Sequence, residues 1–249
     1  MSIHGVPAVA QAGWMVQALR AGWADFCRLP RVSMGFAAAF LVVGALLARA
    51  LVALGLAPLV LPLVGAFMLF GPVTLCGFLG VREAHRRGHD TPPGLPLKAM
   101  AAAPRPVWVL GAFCTFMALV WLTDAGTLYS FMVGRWHDGW AAAVPTDAVA
   151  WRFHAGSGVA GGFLALIVFA VTVHGIPLAV RGEGTLVTAV VASVRAIGRA
   201  PLVHLMWAMV LAVAVLGAVL VPPALLVVLP VMAYASAHWT ERVFPPVSR

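Results

Sequence analysis

Long apolar runs, separated by short basic or proline-containing segments, dominate the chain. A helix needs about 20 apolar residues to cross a hydrocarbon core that is about 30 Å thick. The predicted fold class is therefore an all-α membrane protein, in which six transmembrane helices form three hairpins. The predicted crossings are Met34–Leu54, Leu59–Val81, Val107–Met132, Gly158–Val180, Leu202–Leu220 and Ala224–Trp239.

The last two crossings come from one stretch, Leu202 to Trp239, that contains no Asp, Glu, Lys or Arg. As a single helix it would be about 57 Å long, nearly twice the hydrocarbon core. Pro222 and Pro223 lie at its middle, and proline lacks an N–H group and clashes with the preceding turn. A hairpin is the favoured interpretation. The alternative is five crossings with one kinked helix, which moves the C-terminus to the other side.

Basic residues distinguish the two sides of the predicted bundle. Six crossings put thirteen of the sixteen Lys and Arg residues on one side, two on the other, and Arg49 within a helix. The positive-inside rule makes the basic side cytoplasmic, so both termini are predicted there. The predicted organisation is a cytoplasmic segment with an amphipathic helix over 1–33, a transmembrane domain over 34–239 and a cytoplasmic tail over 240–249.

A weak internal repeat begins with short amphipathic helices on the basic side. Ala21–Ala37 and Ala192–Ala208 share Ala, Arg, Pro, Val and Ala at matched positions, and Ala103–Pro106 resembles a third copy. Each copy would hold a short helix, a proline and a membrane hairpin. Two placements stay open for these helices: at the headgroup level, or packed on the bundle as plain cytoplasmic helices. The predicted apolar sides are Trp14, Leu19, Trp23 and Phe26 in one helix, and Leu186, Val187, Val190, Val191, Val194 and Ile197 in the other.

Composition excludes an ordinary soluble domain. The chain is 62% hydrophobic and only 10% charged, and no soluble fold of 249 residues can hide so much apolar surface. The net charge of +8 falls in short blocks beside the crossings, which indicates contact with anionic lipid headgroups and not with nucleic acid. The three cysteines are far apart, so neither a zinc site nor a disulfide framework is predicted.

Two charged residues fall at membrane depth, where unpaired charge is costly. Arg49 lies about 15 residues into the first predicted crossing, and Asp124 lies about 17 residues into the third, which runs in the same direction. The hypothesis is an intramembrane ion pair between them. Its functional version is a proton or ion step, and its structural version is a packing pair or two side chains that reach the interface separately.

Four histidines, His85, His174, His204 and His238, fall near the cytoplasmic ends of their predicted helices. Histidine is a common ligand of metals and haem. No HExxH motif accompanies these four, so no metal site and no cofactor is predicted. A cytoplasmic-side histidine cluster is the functional interpretation, and ordinary interfacial histidine is the other.

The predicted outer loop, over 134–153, carries three tryptophans: Trp136, Trp140 and Trp151. Tryptophan favours the membrane–water boundary and is also enriched in protein interfaces. The loop is therefore either an amphipathic segment on the outer surface or a surface that binds a partner.

Four motifs follow one another along the chain: ALRAGWADFCRLPRVSMGFAAAF, PLVGAFMLFGPVTLCGFLGVREAHRRG, IPLAVRGEGTLVTAVVASVRAIGRAPLVHLMWA and VLPVMAYASAHWTERVF. Their order resembles a bacterial family of predicted integral membrane proteins, a domain of unknown function. The resemblance spans about Ala18 to Phe244 and implies location in the bacterial inner membrane. Family members typically carry an aspartate before the arginine that corresponds to Arg181, and that acid is missing here. Names of some members suggest a link to cytochrome c oxidase.

No nucleophile elbow or phosphate-binding loop appears. The glycine-rich run over 156–162 opens a predicted crossing and follows no strand, so it is interpreted as helix packing and an enzyme is not predicted. The favoured function is an accessory or interaction subunit of a membrane complex, with a respiratory oxidase as a candidate partner. The alternative is a small transporter or channel, which the scarcity of intramembrane charge disfavours. The expected partners are the lipid bilayer and other membrane subunits.

Overall fold

The computed structural model describes residues 8–134, 139–182 and 184–245, without the side chains at positions 68 and 70–73. In these residues the regular elements are ten α-helices and three short 3₁₀ turns. The helices are α1 Ala12–Arg28, α2 Pro30–Ala53, α3 Val60–Arg86, α4 Leu95–Ala101, α5 Arg105–Met132, α6 Ala148–Thr172, α7 Gly175–Val180, α8 Leu186–Arg199, α9 Pro201–Val219 and α10 Leu225–Val243. The 3₁₀ turns are Ala57–Leu59, Trp140–Ala143 and Pro222–Ala224.

The all-helical prediction is confirmed for this part of the chain. Within it, five stretches are long and apolar enough to cross a membrane: α2, α5, α6 together with α7, α9, and α10 with its preceding turn. Helix α3 is continuous over 27 residues, and a shorter apolar stretch, Ala57–Phe67, falls at its start. Pro222 and Pro223 form the turn between α9 and α10, so these two helices are separate, as predicted.

Two predicted boundaries are wrong. The fourth crossing begins at Ala148, ten residues before the prediction, because the Asp147 carboxylate accepts a hydrogen bond from the Ala150 N–H group and caps the helix. It is also interrupted at Val173 and His174, where α6 ends before α7 begins. Helix α10 continues to Val243, past its predicted end at Trp239.

The internal repeat corresponds to a repeated backbone feature. Helix α1 ends at Arg28 and α2 starts at Pro30, with Leu29 between them. Helix α8 ends at Arg199 and α9 starts at Pro201, with Ala200 between them. Both break residues leave the helical conformation, with φ −127° at Leu29 and φ −145° at Ala200. Proline is well tolerated at the first turn of a helix, since its missing N–H group would have no partner there. The two copies therefore redirect the chain in the same way.

The short helices pack on long helices of the bundle. Helix α1 packs on α10, α4 on α3, and α8 on α6. The closest approach is at Gly22, where a Cβ atom would lie 2.6 Å from the Ala235 backbone nitrogen. Glycine is required there because any side chain would push α1 away from α10.

The faces that make these contacts differ from the predicted apolar sides. Helix α8 packs through small residues, Ala189, Ser193 and Ala196, and leaves Val187 and Val191 exposed. Small residues pack inward because they allow two helix backbones to come close. The exposed valines lie free to contact lipid.

The bundle has two ends. The terminal end holds both ends of the described part of the chain, since the Ala8 N–H group donates to the Val243 carbonyl at 3.0 Å. The loop end holds the turns 54–59 and 139–147, which pack on each other. Near the loop end, Trp121 fills the space left by Gly65 and Gly161 and donates to the Ser157 carbonyl at 3.1 Å. The glycine-rich start of the fourth crossing therefore serves helix packing, as predicted.

Candidate functional site

The terminal end contains a partly buried group of charged side chains, here called the Arg82 cluster: Asp25, Arg82, His238 and Glu241. The Arg82 guanidinium donates from Nε to Asp25 Oδ2 at 2.9 Å, and from Nη1 and Nη2 to the two Glu241 oxygens at 2.7 and 2.9 Å. The His238 Nε2 atom donates to Asp25 Oδ2 at 2.8 Å. One guanidinium therefore joins α1, α3 and α10 through charge-assisted bonds.

Burial and charge oppose each other in this cluster. The Arg82 side chain is 10% exposed and that of Asp25 14%. Burial alone would raise the pKa of Asp25, but the hydrogen bond from His238 and the charge of Arg82 outweigh it and lower that pKa. The Asp25 carboxylate is consequently held in its charged form by the folded structure.

The second group is fully buried and has no side chain with a fixed charge. The Nε2 atoms of His174 and His204 lie 3.1 Å apart, and both residues are 0% exposed. His174 Nδ1 lies 3.0 Å from the Thr240 hydroxyl, and His204 Nδ1 lies 2.9 Å from the Ala200 carbonyl. These residues form a continuous hydrogen-bonded chain, here called the histidine pair with Thr240.

Pro177 explains why this chain can form. A proline within a helix clashes with the carbonyl four residues earlier, which here belongs to Val173. The helix breaks at Val173 and His174, and the Val173 carbonyl instead accepts from the Thr240 hydroxyl at 3.2 Å. The backbone N–H group of His174 is likewise free of the helix and donates to the Ser193 hydroxyl at 3.4 Å. The break therefore directs polar groups from α7 towards α8 and α10.

Aromatic rings surround the histidine pair. The Phe244 ring lies 5.2 Å from that of His174, and the Trp239 ring lies 5.7 Å from that of His204. Trp207 stacks on Trp239 at 5.3 Å, and neither indole N–H group has a hydrogen-bond partner among the described residues. Arg181 donates to the Phe244 carbonyl at 3.0 Å, so it fixes the residue that covers His174.

The four predicted histidines therefore separate into three environments. His174 and His204 are in contact, His238 belongs to the Arg82 cluster, and His85 is exposed on α3. A single cluster of all four is not what the structure shows, because their rings point to different neighbouring helices. Asp25, Arg82, Thr240 and Glu241 were not among the predicted site residues.

The structure does not bring Arg49 and Asp124 together. Both side chains are exposed, and in the described part of the chain no ion pair joins them. Helix α3 packs against both α2 and α5, the helices that carry these residues. Equal depth along two helices therefore does not place their side chains in contact.

The predicted partner surface is described only in part. Trp140 is 56% exposed and Trp151 is 62% exposed, and Trp136 lies outside the described residues. Pro58, Val133 and Phe153 border a small cavity of about 60 Å³ beneath this loop. The loop is thus supported from below and exposes two indoles.

Metal-ligating residues are not grouped in the described ranges. Among those residues, no set of three or more His, Cys, Asp or Glu side chains is arranged to hold a metal ion. Cys76 and Cys114 are buried and Cys27 is exposed, and all three are free thiols.

Residues 60–180 match the family model described as "Predicted integral membrane protein (DUF2189)". The match runs from the first residue of α3 to the last residue of α7, so it includes Arg82 and His174 but not His204. It confirms the resemblance predicted from the sequence, over a shorter range, and does not mention cytochrome c oxidase. No curated protein and no solved structure matches the chain.

Proposed function

We propose that this chain, whose residues 60–180 match a family of predicted integral membrane proteins, is an accessory or interaction subunit of a membrane complex. In this proposal it crosses the inner membrane six times as three hairpins and presents the loop end to a partner. The observation that carries the proposal is the supported loop with two exposed indoles, Trp140 and Trp151.

The positions of the chain ends support six crossings. The hydrogen bond between Ala8 and Val243 puts both ends of the described chain on one side, which requires an even number of crossings. Five stretches qualify by length and composition, and α3 is the remaining long helix, at 27 residues. A helix of that length extends about 40 Å, which is enough to span the hydrocarbon core.

The distribution of basic residues supports a cytoplasmic terminal end. The exposed arginines Arg20, Arg28, Arg195 and Arg199 lie on α1 and α8, next to the starts of α2 and α9. Basic residues that flank crossings stay on the cytoplasmic side. The loop end, with its tryptophans, would then face the periplasm.

The loop fits a protein partner better than lipid alone. Residues 140–143 pack against the turn at Pro58 and Trp151 lies on the capped start of α6, so both indoles are presented from helical turns. Aromatic side chains on a pre-ordered surface are favourable binding anchors because little conformational entropy is lost on association. A respiratory oxidase is the first partner to seek, on the family resemblance alone.

Native co-purification tests this function. The protein is tagged at its C-terminus, extracted in mild detergent, and its companions are identified and quantified by mass spectrometry. The test variant carries Trp140→Ser and Trp151→Ser. The matched control is Trp108→Ser, since Trp108 is similarly exposed at 53% but lies near the start of α5, at the other end of that helix from the loop.

A stoichiometric membrane partner that is lost in the double variant and kept in the control is the expected result. A protein that purifies alone, as a monomer or a homo-oligomer, would overturn the accessory role. A partner that persists in the double variant would keep that role and remove the loop as its binding surface.

A small transporter or channel is the second candidate. The observation that favours it is the presence of two polar clusters inside the bundle. Both clusters belong to the terminal end, because Arg82, His174 and Glu241 all lie near the ends of their helices. Polar clusters at one end do not form a continuous polar path across the bundle. Their distribution therefore favours the accessory role over a transporter.

A further inference from the structure

The hydrogen bonds of the histidine pair determine which nitrogen atoms carry hydrogen when both rings are neutral. A carbonyl only accepts, so His204 Nδ1 must donate to the Ala200 carbonyl. His204 Nε2 is then bare and accepts from His174 Nε2, which leaves His174 Nδ1 bare. The Thr240 hydroxyl donates to that atom. In this arrangement each polar atom of both rings has a partner.

The same atoms can hold one additional proton. The Thr240 hydroxyl has a second acceptor, the Val173 carbonyl at 3.2 Å. If the hydroxyl donates there, its oxygen can accept from a protonated His174 Nδ1, and the additional proton then lies between the two Nε2 atoms. All hydrogens again have acceptors. A second additional proton would set two N–H groups against each other at 3.1 Å, which is strongly unfavourable.

We propose that His174 and His204 form a binding site for one proton, shared between their Nε2 atoms, and that rotation of the Thr240 hydroxyl accompanies proton uptake. No bond between heavy atoms changes in this step: the proton is taken from water, and the pair gains one positive charge. The site is independent of the partner-binding role.

The surroundings make the additional charge costly, because both rings are fully buried and the Arg181 guanidinium, after α7, opposes a positive charge on His174. Trp239 and Phe244 lie beside the two rings. Arg181 in turn lies 4.0 Å from a Glu241 carboxylate oxygen on α10. From α8 the pair meets only the neutral Ser193, and the packing residues from α1 are apolar.

Nitrogen NMR of the protein with ¹⁵N-labelled histidine tests the proposal directly. In detergent above neutral pH, we expect one ring protonated at Nε2 and one at Nδ1, with a scalar coupling across the bond between the two Nε2 atoms. On acidification both rings should respond together with one midpoint and an uptake of one proton. Assignment uses the variants His174→Gln and His204→Gln.

Thr240→Val provides a second measurement that does not remove either ring. It deletes the acceptor for the protonated His174 Nδ1, and hydrogen bonds to charged donors are the stronger ones. The common midpoint should therefore fall by about one pH unit, equivalent to a tenfold loss of proton affinity. Separate midpoints for the two rings, rings that stay neutral until the protein unfolds, or a metal ion bound in the purified protein would each overturn the proposal.

Discussion

The Arg82 cluster and the histidine pair are neighbouring polar sites in which buried polar groups are stabilised in opposite ways. The cluster neutralises fixed charges: a guanidinium with two bonds to Glu241 and one to Asp25, partly open to solvent. The histidine pair carries no fixed charge and is closed to solvent. Histidines therefore occur here both beside carboxylates, as at His238, and in a neutral chain, as at His174.

Because of this difference, we expect the two sites to respond to different perturbations. Removal of one charge from the Arg82 cluster leaves its partners buried and unpaired, which costs more than the intact pair contributes. In our proposal the histidine pair takes up one proton because the Thr240 hydroxyl has an alternative acceptor in the Val173 carbonyl. The first site is expected to act as a structural joint, and the second as a point of proton uptake.

The largest expected effect comes from Arg82→Met. It leaves the Asp25 and Glu241 carboxylates without their main partner, and we expect the free energy of unfolding to fall by about 3–5 kcal/mol. The control is Arg87→Met, which breaks an exposed pair with Glu83 at 2.7 Å and should cost about 0.3–0.5 kcal/mol. Unfolding in detergent, followed through the nine tryptophans, measures both. Equal losses would show that burial does not strengthen the cluster.

Gly22→Ala should have the next largest effect, because its Cβ atom would meet the backbone of Val231 and Ala235. Overpacking of this kind costs about 1–3 kcal/mol. The control, Gly13→Ala on the same helix, meets nothing within 4 Å and should be neutral or slightly stabilising. The histidine signals of the pair should stay unchanged in the Gly22 variant. A shift in those signals would mean that the two sites are coupled.

Acid should weaken the Arg82 cluster through Asp25. Because the folded state lowers the pKa of Asp25 below its ordinary value of 3.8, its contribution to stability is complete above that value. The contribution disappears as the pH falls from about 3.8 to the folded pKa. The stability difference between wild type and Asp25→Asn should therefore be largest near neutral pH and shrink below pH 4. A difference that is constant with pH would contradict the ion pair.

The smallest effect is expected from Arg49→Gln and Asp124→Asn. Both residues are exposed and do not contact each other, so each change should alter stability by less than about 0.5 kcal/mol. The effects of the single changes should add in the double variant, because distant sites are independent. A coupling energy above about 0.5 kcal/mol would support the hypothesis of an intramembrane ion pair between Arg49 and Asp124.

The apolar pattern was sufficient to predict the helices and the break at Pro222 and Pro223, since both depend on local sequence. The repeat was also readable, because Pro30 and Pro201 start helices in the same way. The start of α6 at Ala148 was missed, although Asp147 is a recognisable capping residue. Local signals therefore account for most of the fold.

The candidate site was harder to predict, because it depends on which helices become neighbours. Asp25 and Glu241 are 216 positions apart and meet only through Arg82. Only eight acidic residues occur in the chain, so an acidic residue beside a predicted crossing could have indicated a member of the Arg82 cluster. Pro177 breaks the helix and leaves the Val173 carbonyl to accept from the Thr240 hydroxyl. That contact is visible only in the three-dimensional structure.

The hydrogen bond between Ala8 and Val243 brings the two ends of the described part of the chain together. A short linker could join the two ends, and new ends could be opened in the exposed segment between α3 and α4, which separates the first repeat from the second. Circular permutation is tolerated where the ends are close and the new opening is exposed. Such a permuted protein would insert its repeats in a different order during synthesis, and would distinguish the order of insertion from the order of the final packing.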